Sequence, residues 1–235
     1  MNGFLKYFIA FLGSISFIVA IFLSSVQVAV YGDIDGYFLK EYRKYNVFEN
    51  VDISENNLMY VTYEMLDYLD DKRDDLVIYT TVNDEEREFF NEREKAHMYD
   101  VKNLFNSGKS IRVKCLILTI FTYILVILKD KSFLSTISKG FLGAFTFVLA
   151  TTITLTAIIS SNFTKYFTIF HQIFFDNDLW LLNPEKDLLI NIVPEGFFVD
   201  TAIRIGSIFI FTIMAISVLS VVLIFVDRKR RSLWK

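Results

Sequence analysis

The sequence predicts a membrane protein that is mainly α-helical. Four transmembrane helices are expected, with an extracytoplasmic α+β domain inserted between helices 1 and 2 and a long outer loop between helices 3 and 4. Apolar residues make up 53% of the 235 residues, and the mean hydropathy is +0.40. They are concentrated in four blocks of about twenty residues, the length that an α-helix needs to cross a bilayer. Charged stretches separate the blocks and differ strongly in sign.

The four blocks define the predicted crossings. The first, residues 4–30, carries one charge, Lys6, and is longer than the apolar core of a cleaved signal peptide, so a retained helix is expected. The second, 111–128, is just long enough to span. The third, 140–160, is rich in Thr and small residues, which is typical of helices that face other helices or a polar cavity. The fourth, 203–226, is uncharged from Ile205 onward.

The charges between the blocks predict the orientation. Residues 227–235 hold five Lys or Arg and residues 129–139 hold three, so both are expected in the cytoplasm, together with the amino terminus. Residues 31–110 hold 19 Asp or Glu against 10 Lys or Arg. This domain and the loop 161–202 are therefore predicted to lie outside the cytoplasmic membrane.

Local patterns predict the elements of the outer domain. Residues 46–62 begin with strand- and turn-like spacing, and residues 58–70 have the apolar periodicity of a short helix. The β-branched stretch 77–82 predicts a strand. Asn83-Asp84 then resembles the amino-terminal cap of a helix over 85–106, which ends at a Ser-Gly pair and leads into the second crossing.

Only two histidines occur, His97 and His171, and both fall in outer segments close to a membrane boundary. Histidine is the side chain whose ordinary pKa lies nearest neutrality. On the predicted 85–106 helix, His97 shares a face with apolar residues, so it should point toward the packed side and not toward water. Glu94 and Asp100 flank it at i−3 and i+3, where a carboxylate could fix the imidazole tautomer and raise its basicity.

The second histidine lies in an aromatic stretch, FTKYFTIFHQIFFDNDLW, in which Phe recurs at helical spacing. This pattern predicts an aromatic helix in the lipid headgroup layer. Each histidine alone is as compatible with a polar residue in an aromatic belt as with a site. Because both are predicted on the same side at similar depth, the pair favours one shared site.

Other motifs are absent or incomplete. Glu94-x-x-His97 is half of a di-iron motif with no second copy, so no metal site is predicted. No HExxH, GxSxG, P-loop or Cys–His nucleophile pattern occurs, and no cofactor is expected. The single cysteine, Cys115, excludes an intramolecular disulfide. The basic tail is predicted to contact lipid headgroups of the bilayer and no nucleic acid.

Two stretches carry a resemblance to a known family: EREKAHMYDVKNLF at 92–105 and FHQIFFDNDLWLLNPEKDLLINIVPEGFFVDTA at 170–202. They resemble the lipoprotein intramolecular transacylases (Lit) of low-GC Gram-positive bacteria, small proteins with four crossings and an outside domain. The resemblance implies an acyltransferase that moves the sn-2 acyl chain of a diacylated lipoprotein to the α-amino group of its amino-terminal cysteine, giving the lyso form. The family's two motif histidines carry the chemistry, and they match His97 and His171.

Three alternatives rank below this function. One is an enzyme that forms a covalent acyl intermediate on Ser or Thr. Another is a non-enzymatic membrane protein that binds lipid or a partner, with the histidines as packing residues. The last is a metal-dependent membrane hydrolase using His97, His171 and either Glu94 or Asp100. The oligomeric state, the lipoproteins used and the role of residues 31–80 stay open.

Overall fold

A computed structural model describes residues 2–232. In chain order the elements are α1 (Gly3–Tyr31), α2 (Ile34–Lys44), α3 (Val47–Val51), α4 (Glu55–Leu69), β1 (Tyr79–Val82), β2 (Glu85–Glu88), α5 (Glu92–Lys129), α6 (Phe133–Ser161), α7 (Phe163–Phe174), α8 (Leu188–Ile192) and α9 (Glu195–Ser232). The chain divides into two compact units. One contains the residues up to Val28, Lys109–Ser161 and the residues from Arg204 onward; the other contains Ala29–Gly108 and Asn162–Ile203.

The first unit is built from the long helices. Among the described residues, α1, α5, α6 and α9 are long and apolar enough to cross a membrane. Each contains one of the four predicted blocks. Large apolar side chains cover the outside of this unit, and Phe211, for example, is 74% exposed. Such a surface is compatible with lipid as the surrounding solvent, since a helix satisfies its own backbone hydrogen bonds.

Small residues bring the helices of this unit close together. A Cβ on Gly140 of α6 would lie 2.7 Å from the Cβ of Ala10 on α1, so only glycine allows this approach. The Thr119 hydroxyl of α5 lies 3.2 Å from the carbonyl oxygen of Gly13. Close approach of backbones through Gly, Ala and Thr is the usual way in which helices associate in lipid.

The second unit has its own hydrophobic core. Tyr42 of α2, Leu58 of α4, Phe89 after β2 and Ile192 of α8 are fully buried in it. Its strands, β1 and β2, form an antiparallel hairpin, the sheet found in the described residues. The unit is therefore mainly helical. Its predicted location outside the cytoplasm stays a prediction.

The predicted helix over 85–106 is wrong in its first turns. Asn83 and Asp84 do not cap a helix but have φ angles of 51° and 60°, the left-handed backbone of a two-residue hairpin turn. Val82 pairs with Glu85 across this turn, so the chain returns as strand β2. Helix α5 begins only at Glu92, and it continues through the Ser-Gly pair to Lys129 without a break.

The stretch 46–62 also differs from its strand-like pattern, because it begins with the short helix α3. Asn46 and Asp52 bracket α3 with φ angles of 50° and 52°. Ser54 then caps α4 by accepting a hydrogen bond from the Asn57 N–H at 3.3 Å. The predicted helix 58–70 and strand 77–82 are confirmed as α4 and β1, with slightly different bounds.

Candidate functional site

His97 lies in the amino-terminal part of α5, which belongs to the second unit. A reciprocal capping pair starts this helix: the Asn91 N–H donates to the Glu94 carboxylate at 2.8 Å, and the Glu94 N–H donates to the Asn91 side chain at 3.1 Å. Six charged side chains lie between Glu92 and Lys102. A membrane crossing does not accommodate this density of charge, so His97 lies outside the spanning part of α5.

His171 lies on α7, surrounded by aromatic rings. Its Nδ1 lies 2.7 Å from the Phe167 carbonyl oxygen one turn earlier. Because a carbonyl only accepts, Nδ1 carries the proton, and the neutral ring keeps a free lone pair on Nε2. Its aromatic neighbours are Phe167, Phe170, Phe175 and Trp180, with ring centroids 4.4 to 5.6 Å away. This tautomer makes His171 a proton acceptor at Nε2.

The two histidines lie together. Their ring centroids are 6.1 Å apart and their planes are inclined by 35°. Phe175 contacts both rings, at 5.4 Å from His97 and 5.6 Å from His171. The exposed fractions are 7% for His97 and 8% for His171. The expected approach of the two side chains is therefore present.

Burial keeps both imidazoles neutral. It lowers the pKa of His97 to about 4, assisted by the nearby His171 and Arg93 and opposed by the Asp100 carboxylate. Burial also lowers the pKa of His171, opposed by the Phe167 carbonyl that accepts from Nδ1. Desolvation disfavours the charged form of a histidine, which accounts for both directions. At neutral pH the pair can therefore accept protons but carries no positive charge of its own.

The two flanking carboxylates have different surroundings. Asp100 accepts a hydrogen bond from the Asn177 amide at 2.8 Å and lies close enough to His97 to oppose the fall of its pKa. Glu94 is 1% exposed and accepts from the N–H groups of Asn91 and Leu189, so it caps the start of α5 and that of α8. A direct hydrogen bond from Glu94 to His97 is not among its contacts in the described chain. That either of these two carboxylates orients His97 stays a prediction.

The loop that follows α7 covers the histidines. Trp180 stacks on His171 with ring centroids 4.9 Å apart. The Asn177 amide of this loop donates to Asp100, which lies one helical turn after His97 on α5. The Arg93 guanidinium, one turn before His97, donates to the carbonyl oxygen of Asp178 in the same loop. Neither Arg93 nor Asn177 was predicted from the sequence as a functional residue. Their only signal was their presence inside the two resembling stretches.

Metal-binding geometry is not evident in the part of the chain that the structure describes. Within residues 2–232, no group of three or more His, Cys, Asp or Glu side chains is arranged to hold an ion. Aromatic rings surround His171, and one of them, Phe175, also contacts His97.

Known proteins resemble this chain in sequence and in fold. The sequence model of the lipoprotein intramolecular transacylase family, Lit, matches residues 11–198. The structure of the membrane-integral transacylase Lit from Bacillus cereus is similar, with a TM-score of 0.73, 23% identity, and coverage of 99% of this chain and 100% of that one. A variant of that protein with a histidine replaced by arginine has a TM-score of 0.72 at 23% identity, covering 99% of this chain and 96% of that one. No individually curated protein matches by sequence.

Proposed function

The chain belongs to the lipoprotein intramolecular transacylase (Lit) family, and we propose that it transfers the sn-2 acyl chain of a diacylated lipoprotein to the α-amino group of the amino-terminal cysteine. The product is the lyso-form lipoprotein. Membership in the family makes this multi-pass membrane protein an acyltransferase. The observation that best supports the detailed reaction is the pair of buried, neutral imidazoles, whose ring centroids lie 6.1 Å apart.

The reaction imposes a definite proton balance. The α-ammonium nitrogen loses two protons as it becomes an amide, while the glycerol oxygen gains one as its ester bond breaks. The remaining proton leaves to solvent. Two neutral histidines can each accept one of the two protons from nitrogen, and each such step contributes roughly 10²–10⁴-fold near neutral pH.

The two histidines differ in what they offer. His171 presents a free Nε2 lone pair because its Nδ1–H donates to the Phe167 carbonyl, so we assign it the first proton from the ammonium group. Burial depresses the pKa of His97 to about 4. Its imidazolium is consequently a stronger acid than that of an ordinary histidine. We assign it the second proton, which it takes from the attacking nitrogen and delivers to the glycerol oxygen.

The covalent chemistry then needs no nucleophile from the protein. The amine nitrogen attacks the ester carbonyl carbon, the carbonyl oxygen becomes an oxyanion, and the carbon–glycerol oxygen bond breaks as the carbonyl re-forms. Donor and acceptor belong to one substrate molecule, so positioning them supplies much of the rate enhancement. The site is proposed to lie at the extracytoplasmic face of the cell membrane, where mature lipoproteins have their lipid chains in the bilayer and their peptide in water.

Mass spectrometry of a reporter lipoprotein tests this function. The reporter is expressed in cells that lack any such transacylase, with and without this protein, and its amino-terminal peptide is analysed. We expect the protein to convert an S-diacylglyceryl terminus into one with an acyl amide on nitrogen and a monoacylglyceryl on sulfur. An unchanged diacylglyceryl terminus, with the protein present in the membrane, would rule the function out.

A further inference from the structure

Two buried nitrogen atoms that have no hydrogen-bond partner among residues 2–232 lie one helical turn apart at the start of α5. They are Nε of Arg93 and Nδ1 of His97. Residues four positions apart on a helix project from the same face. Buried polar atoms in native proteins nearly always have a partner, so an orphan donor beside a candidate active site indicates a place where a ligand supplies the acceptor.

The Arg93 side chain is held by its terminal nitrogen and not by Nε. One terminal NH₂ group donates to the Asp178 carbonyl oxygen and lies 3.4 Å from the Asp178 carboxylate. That carboxylate is 77% exposed and the Arg93 side chain is 39% exposed, so water screens the ion pair between them. The anchoring residue belongs to the same loop as Trp180, whose indole stacks on His171. These contacts hold the Arg93 guanidinium at the edge of the histidine pair.

Resting on the function proposed above, we propose that Arg93 is a catalytic residue that binds the oxyanion formed from the ester carbonyl during acyl transfer. When the amine nitrogen attacks, the C–N bond forms and the π electron pair of the carbonyl moves onto its oxygen. The Arg93 Nε–H donates to that oxygen, and no proton leaves the guanidinium. When the carbonyl re-forms, the electron pair returns, the bond to the glycerol oxygen breaks, and that oxygen takes a proton from His97.

The charge balance of the site supports this assignment. His97 and His171 are neutral at rest and take up positive charge only as the amine loses protons. A guanidinium, in contrast, stays protonated at every pH at which a protein is folded. Fixed donors aimed at a developing oxyanion stabilise it without reorganisation, which is why such groups have large effects in enclosed sites. The positive charge of Arg93 already acts on His97, since it lowers the pKa of that imidazole.

Kinetics of purified variants test the role. We expect Arg93→Ala to lower kcat roughly 10²–10³-fold, with little change in KM for a diacylated lipopeptide in detergent, the effect of removing one oxyanion donor. Arg93→Lys keeps the charge but places no Nε–H at this point, so an intermediate rate is expected. Arg87→Ala is the matched control, because Arg87 is an exposed arginine on β2 and should react like the wild type.

Chemical rescue separates oxyanion binding from loop anchoring. Ethylguanidinium added to Arg93→Ala should restore kcat at least tenfold, whereas ethylammonium at the same concentration should not. Replacing Asp178 by Ala weakens the anchor but keeps the guanidinium, and it should cost far less than Arg93→Ala. Thermal unfolding of each variant in the same detergent reports whether it is folded.

The outcomes separate the two proposals. A folded Arg93→Ala variant with kcat within threefold of the wild type overturns the oxyanion role, as does a loss that Asp178→Ala reproduces in full. A loss that ethylguanidinium does not rescue also overturns it. In each of these cases the wild type still forms lyso-form product, and the transacylase function stands. A folded wild-type protein without product overturns the function and the Arg93 role together.

Discussion

The indole of Trp180 stacks on the imidazole of His171, with ring centroids 4.9 Å apart and planes inclined by 28°. The Trp180 N–H donates to the Asn177 carbonyl at 2.9 Å, so the ring is held by its own loop. Stacking removes one face of His171 from water. This burial is the main cause of the lowered pKa of His171 and keeps its Nε2 available as a base.

Replacing Trp180 by Ala should expose His171. We expect its pKa to rise toward the ordinary histidine value and kcat to fall roughly three- to tenfold, the free-energy range of one aromatic pair. Trp180→Phe should retain most activity. The control is Tyr79→Ala, which removes an aromatic side chain that is 59% exposed on β1. An unchanged His171 titration in Trp180→Ala would contradict the covering role.

Removing either histidine should abolish lyso-form production. His97→Ala and His171→Ala each remove a proton acceptor worth roughly 10²–10⁴-fold. Because the two act as one unit, the double variant should be little worse than either single variant. Acylation of a reporter lipoprotein is the measurement, and Cys115→Ala is the control, since no thiol takes part. Full conversion by either folded histidine variant would favour an acyl-enzyme on Ser or Thr.

The two histidines should titrate at unusually low pH. With only two histidines in the chain, NMR of the labelled imidazoles gives one resonance for each. We expect His97 to titrate near its pKa of about 4 and His171 below the ordinary value, because burial disfavours both charged forms. Asp100→Asn should lower the pKa of His97 further, because it removes the negative charge that now raises this pKa. Arg93→Gln should raise the pKa of His97, because it removes the positive charge that now lowers this pKa.

The lowered pKa values of the two histidines also determine how the stability of the folded protein changes with pH. A histidine whose pKa is lower in the folded state protonates first in the unfolded state. The stability that this histidine contributes to the folded state is fully present above its ordinary pKa near 6.5. This stability is lost as the pH falls from there toward the folded-state pKa. Two resonances titrating at ordinary histidine pKa values would show that the site is open to water, contrary to its burial.

Glu94 should matter for stability through its two helix caps. Glu94→Ala leaves the N–H groups of Asn91 and Leu189 without an acceptor, and we expect a loss of roughly 1.5–3 kcal/mol in the free energy of unfolding. Glu94→Gln should cost less, because burial already raises the pKa of this carboxyl group and a neutral isostere keeps one acceptor oxygen. Thermal unfolding in detergent measures both. Glu92→Ala, at a side chain that is 91% exposed, is the control.

Thiol labelling in intact cells tests the predicted orientation. In a Cys115→Ala background, cysteines at Asp71 and Asn183 should react with a membrane-impermeant reagent, and a cysteine at Ser232 should not. The reason is the excess of Lys and Arg in the segments assigned to the cytoplasm. Labelling of the Ser232 position alone would invert the topology and move the proposed site to the cytoplasmic side.

The membrane crossings and the family of this protein could be predicted from the composition and residue spacing of its sequence alone. Apolar blocks of about twenty residues are sufficient to predict four membrane crossings, because the thickness of the bilayer sets that length. The stretches around His97 and His171 carried the resemblance to the transacylase family, and the family match over residues 11–198 confirms it. These conclusions depend on local composition and ordered motifs, which are visible in a linear chain.

Local helix propensity was insufficient to predict the structure between residues 83 and 92. Glu, Arg and Lys are good helix formers, so the sequence EEREFFNEREK at 85–95 favours a continuous helix. In the structure, burial of Phe89 and Phe90 in the core and the left-handed turn at Asn83 and Asp84 make the first part a strand. The Asn91–Glu94 capping pair then starts the helix, a signal that was present in the sequence but lies seven residues after the predicted start.

Only the tertiary structure decided how the site is assembled. The sequence identifies His97 and His171 as the two histidines, but their 6.1 Å separation results from the packing of α7 and its following loop on the start of α5. The same packing places Glu94 where it caps two helices, and it leaves Arg93 Nε without a hydrogen-bond partner in the described part of the chain. Hydrogen bonds and burial between segments distant in the chain depend on how those segments pack, and no local pattern of residues encodes them.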